Sequence, residues 1–257
     1  MSPSAVSPNT PGPEARPARA VAGAALVTVA WHVVLVAAAF GLPPLSPGWF
    51  PDLGATVVNL VALLVPVAVI ARRGWWSRPW LAARRPRRPL LLLPVLLVAL
   101  SYGLPGIDGS TTALVSSAVL FLALGLSEEL LSRGVVQELL SPLPPGARVV
   151  WVGVLFGSGH VLSAIAFGRA VDDTVVQVIS ATAFGAGFAA LRLHVVVLWP
   201  LVLLHGLDDW MQINSPGAAP WLWQLAIAIG FAVAAWALTR PSALPAQQRR
   251  PAATMGP

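Results

Sequence analysis

Glu128 and Glu129 are adjacent carboxylates that close an apolar run beginning at Phe121, and Arg133 follows within one helical turn. An ionisable group in such a run is costly in a bilayer and marks a functional site by default, provided that the chain supplies it with partners. On a helix Glu129 and Arg133 share a face, in the favourable acid-before-base order. Glu128 points about 100° away from Glu129 at 3.6 residues per turn. The spacing therefore allows one carboxylate to be held by the arginine while the other faces a cavity. It also fits a plain charge cluster at a helix end in water, together with Glu138 and Arg148.

Two further groups could complete a site. Phe156-Gly-Ser-Gly-His160 sets an imidazole beside a small-residue surface, which permits close approach of a helix or a substrate. Ser158 and His160 are two apart and point to different sides, which argues against a local serine nucleophile with its base. In Leu204-His205-Gly-Leu-Asp-Asp209, His205 and Asp209 are four apart and share a face, so a carboxylate can orient the ring or complete a ligand set. Asp208 reads more simply as a cap at the membrane boundary. His32 has no polar company nearby in sequence, and His194 lies close to Arg192 and reads as interfacial.

The elements that must position these groups are membrane helices. Of 257 residues 56% are hydrophobic and 10% charged, with a mean hydropathy of +0.76, whereas soluble domains carry about 25% charged residues. The expected fold is all-α, a polytopic membrane bundle of about eight transmembrane helices at about 20 apolar residues each. The apolar spans are 20–42, 54–71, 89–104, 112–131 (extending to 140 if the helix runs on), 148–167, 174–191, 194–210 and 221–239, separated by Pro- and Gly-rich breaks. Residues 1–19 and 240–257 are expected to be disordered tails, the first without a cleavable signal peptide, around a helical domain at 20–239. The tryptophans mostly flank spans, as an interfacial belt does.

All 16 basic residues are arginines, and the chain has no cysteine, which excludes disulfides, thiolate ligands and a cysteine nucleophile. With eight spans, every arginine except Arg169 falls on one side, in the two tails and the connections after the second, fourth and sixth spans. The positive-inside rule then places both termini in the cytoplasm. The expected location is the plasma membrane of a bacterium. This charge pattern reflects topology and is no nucleic-acid footprint.

Counting from the arginine side at 1.5 Å per residue, Glu128 and His160 lie about 18 Å deep and His205 about 20 Å deep, provided that the fourth helix continues to Leu140. One layer would then hold a carboxylate and two imidazoles, which packing alone explains poorly.

Three motifs in this order resemble the CPBP intramembrane proteases, the CaaX protease or Abi family. Glu128-Glu-Leu-Leu-Ser-Arg133-Gly134 is similar to their Glu-Glu-x-x-x-Arg-Gly signature, Phe156 to His160 to Phe-x-x-x-His, and His205 to Asp209 to His-x-x-x-Asn/Asp. The likeness covers 112–212. Ser132 stands where family members usually have an aromatic residue, which would loosen the packing around Arg133. Asp209 stands where Asn is common.

The resemblance implies hydrolysis of peptide bonds within the bilayer, on a membrane protein or peptide substrate. Glu128 would be the general base with His160 as its partner, His205 and Asp209 would complete the site, and Glu129 and Arg133 would support it. Two routes stay open. One uses a divalent ion, expected to be zinc, on His160 and His205 with Glu128 or Asp209 as the third ligand. The other is metal-free, with His205 and Asp209 stabilising the oxyanion. A proton-coupled transporter and a non-catalytic scaffold or immunity protein are the competing functions.

Overall fold

The computed structural model describes residues 15–82, 85–217 and 220–245; residues 1–14 and 246–257, most of the two expected tails, lie outside them. The described residues are mostly helical, with no strand among them, as expected of a helical membrane bundle. Eight apolar helices occur where the apolar spans are: α1 (Ala15–Gly41), α2 (Leu53–Arg73), α3 (Pro89–Tyr102), α4 (Thr111–Leu139), α5 (Pro145–Phe167), α6 (Val171–Val195), α7 (Trp199–Ile213) and α8 (Trp221–Thr239). Six of them are long and apolar enough to cross a membrane. The other two, α3 and α7, would rise only about 21–23 Å, short of a hydrocarbon core of about 30 Å. Eight transmembrane helices were expected; among the described residues six helices are long enough to cross, and α3 and α7 are too short to cross alone.

Local chemistry sets the helix limits. Gly74 adopts a left-handed conformation after α2, and its N–H reaches the carbonyls of Ile70 and Ala71. Ser110 caps α4 by accepting from the Ala113 N–H. Proline stands at the start of α5, α7 and α8, and Gly168 ends α5 in the left-handed region. The first helix begins at Ala15, a few residues inside the segment expected to be a tail. Beyond Thr239 the chain turns back and buries Leu244 in the core.

Contacts sort the helix ends into two faces. On one, Glu138 near the end of α4 pairs with Arg78 at 3.5 Å and with Arg192 of α6 at 3.8 Å. There too the Leu198 N–H donates to the Trp80 carbonyl, and the Arg87 N–H to that of Val195. His194 bridges Arg88 and the Leu238 carbonyl of α8, and it is fully buried, contrary to the interfacial reading. Trp80 is buried as well and does not join the interfacial belt. On the opposite face Asp52 and Ser116 join the starts of α2 and α4, and the Ser215 hydroxyl donates to the Tyr102 carbonyl.

Glycines bring the helices together. A Cβ on Gly153 would stand 2.7 Å from the Thr182 carbonyl oxygen, so α5 and α6 pack backbone to backbone. At the crossing of α4 and α7 a Cβ on Gly125 would stand 2.9 Å from the Val202 oxygen, and one on Gly206 would stand 2.9 Å from that of Phe121. That crossing delivers Glu128 and Glu129 to His205.

Candidate active site

The fourth helix does continue past Leu131, as a shared depth for Glu128, His160 and His205 requires. It does so through a π turn over Leu130–Val136, and all seven residues of that turn are buried. A π turn inside an α-helix rotates the register, and such turns are frequent at functional sites. Here it sends Arg133 inward. The Arg133 Nη1 lies 2.8 Å from Glu129 Oε1, and neither side chain has any solvent exposure. The guanidinium is further enclosed by Phe156, Phe184 and Phe188, its Cζ lying 4.4, 5.6 and 5.3 Å from the three ring centres. Cations are attracted to aromatic faces at these distances. The loosening expected from Ser132 does not occur, because the cage comes from α5 and α6 and leaves no need of a neighbour in sequence.

Glu129 also binds His205. Its Oε1 lies 2.9 Å from His205 Nδ1, and since a carboxylate accepts, Nδ1 carries the proton. The other ring nitrogen, Nε2, faces Glu128 Oε2 at 3.6 Å and Asp209 Oδ2 at 3.5 Å. His160 has a comparable arrangement: Nδ1 lies 3.0 Å from the Phe156 carbonyl oxygen, which can only accept, so Nε2 is the nitrogen left for chemistry. Glu128, His160, His205, Asp208 and Asp209 all line one cavity of about 510 Å³. Glu129 and Arg133 are absent from its wall and lie behind it. The two adjacent carboxylates thus separate as the 100° rotation between them suggests.

Three features escaped the sequence. Asp208 is buried and lines the cavity, where a boundary cap was expected; its Oδ2 accepts from Gln212 at 2.8 Å. His32 enters the same cavity from α1, with Nδ1 held 2.9 Å from the Thr28 carbonyl oxygen. Its neighbour Trp31 donates from Nε1 to the Ser127 hydroxyl, one residue before Glu128. The aromatic cage is the third. Phe184 and Phe188, one turn apart on α6, were a visible signal for it, and so was a histidine inside an apolar span.

The donor chemistry suits a metal only in part. Two imidazoles with Nδ1 engaged and Nε2 available are what zinc takes, but a catalytic zinc needs three protein ligands. Among the described residues no three His, Asp or Glu side chains converge as a ligand set.

One known family matches the part of the chain that holds the site. Residues 110–211 match the family model described as Rce1-like, type II CAAX prenyl endopeptidase. This segment is similar to the Rce1-like domain. It spans about two-fifths of the chain and contains all three motifs, from the N-cap of α4 to the last turns of α7. Neither the curated proteins nor the solved structures gave a match. The apolar helices around this segment fit an integral membrane protein, and the matched model is that of a membrane protease family.

Proposed function

We propose that the protein is a glutamate-dependent intramembrane endopeptidase acting on a membrane-associated polypeptide, with Glu128 as the general base. The observation that carries this is the unequal fate of the two carboxylates: Glu129 is locked between Arg133 and His205, while Glu128 opens on the cavity beside two imidazoles.

In the proposed reaction Glu128 takes a proton from a water as its oxygen bonds to the scissile carbonyl carbon. His160, on the same cavity wall, helps to hold that water through Nε2. Charge develops on the carbonyl oxygen, and a positioned donor there is commonly the largest single contribution to catalysis. His205 supplies it from Nε2, its positive form being stabilised by Glu129 at Nδ1 and by Asp209. The C–N bond then breaks, and Glu128 returns the proton to the leaving nitrogen. Glu129 and Arg133 touch no reacting atom and act as positioning residues. The name of the matched family supports the C-terminal end of a polypeptide as the first substrate to assay.

Glu128→Gln tests the proposal. It removes the base and keeps the shape, so cleavage of a reporter polypeptide by purified protein in detergent should fall by about 10²–10⁴-fold, the usual contribution of such a group. Full activity in that variant would remove Glu128 from the role. Solute uptake in liposomes, lost in the same variant, would favour a carrier instead.

A further inference from the structure

Burial around Glu128 is one-sided. Toward the face that carries Glu138 and Arg192, the chain beyond it is sealed: Arg133 and Val135 have no exposure, and Val136 and Gln137 have 1% each. Leu140 and Leu193 close the same end. In the other direction the cavity wall becomes polar, through Ser163, Gln177, Ser180, Gln212 and Gln224, with the exposed Arg169 at the rim in contact with Gln177.

These polar residues belong to the last turns of α5 and α7 and the first turns of α6 and α8, so all of them lie at one face of the bundle. From His160 to the end of α5, and from His205 to the end of α7, the rise is about 10–12 Å. The mouth is therefore aqueous and close to the catalytic groups.

The two faces differ in charge. At the mouth Arg169 is the one arginine among the described residues, accompanied by Asp52, Asp108, Asp172 and Asp173. The sealed face carries the arginine-rich connection after α2, with Arg148, Arg192 and Arg240. Basic connections stay in the cytoplasm. The mouth therefore opens on the other side.

We infer that the site takes its substrate from the non-cytoplasmic face: an exported peptide, or the outward end of a membrane protein, entering past Arg169 in extended form. This rests on the protease reading above and narrows its substrate class, since a lipid-modified C-terminus in the cytoplasm would meet only the sealed face.

The absence of cysteine from the chain gives a clean background for the test. Full-length Ser163→Cys and Ser180→Cys at the mouth, and Ser77→Cys on the arginine-rich face, are expressed in bacterial cells. Each is treated with a membrane-impermeant maleimide before and after lysis. The mouth cysteines should label in intact cells, and Ser77→Cys only after lysis. The reverse pattern, labelling of all three in intact cells, or mouth cysteines that stay unreactive after lysis would each overturn the inference. Glu128→Gln in detergent is blind to sidedness, so failure of the protease reading would be seen separately.

Discussion

His205 Nδ1 and Glu129 Oε1 lie 2.9 Å apart, although 76 residues separate them in the chain. The same carboxylate oxygen is 2.8 Å from Arg133. Glu129 thereby fixes the tautomer of one imidazole and neutralises a fully buried cation. Removing it should show both losses. Glu129→Gln should lower the rate about 10–100-fold, the range for a partner that orients a functional histidine. It also leaves Arg133 unpaired, for a loss of about 3–5 kcal/mol read as a lower melting temperature. Adding Arg133→Met should restore stability without activity, because the unpaired charge is gone and the orientation of His205 is not regained. Recovery of both would mean that Glu129 serves the fold alone.

The crossing of α4 and α7 has no room for a methyl group. In Gly206→Ala the new Cβ meets backbone oxygen of Phe121, which cannot rotate away as a side chain could. Overpacking of this kind costs about 1–3 kcal/mol. The pried-apart helices should also separate Glu128 from His205, so cleavage should fall more steeply than thermal stability does. A melting curve and a rate on the same preparation measure the two effects.

A methyl group on Gly159 would collide with Cε1 and Nε2 of the His32 ring. That ring is buried and held by the Thr28 carbonyl, so it has little freedom to yield. Gly159→Ala alone should destabilise the contact between α1 and α5 and displace His160 next to it. Combined with His32→Ala, which vacates the same space, it should recover a normal melting temperature. No recovery would place the strain elsewhere.

Metal content separates the two routes left open by the motifs. With no three-ligand set in the cavity, purified protein should hold well under one equivalent of zinc. His160→Ala and His205→Ala should not change that content, although both should impair cleavage. One equivalent in the parent chain, lost in both variants, would instead establish a metal centre and recast Glu128 as a ligand or its partner.

What the sequence determined by itself was the inventory. A carboxylate or imidazole in an apolar span stands out from its neighbours, so Glu128, Glu129, His160 and His205 could be picked out before any helix was placed. The helix positions were legible for a similar reason, since apolar length and Pro/Gly breaks are local properties. The asymmetry of the arginines was legible too.

Tertiary structure decided everything that depends on rotation and crossing. Which of two adjacent glutamates faces the cavity depends on how α4 is turned, and the Gly125–Gly206 crossing and the π turn set that. Asp208 proved to be a cavity residue because α7, packed against α4 at Gly206, turns that side chain inward. His32 joined the site because a glycine on another helix makes room for its ring. The direction in which the cavity opens belongs to no single segment. It follows from polar ends of four helices meeting at one face while the π turn and its packing close the other.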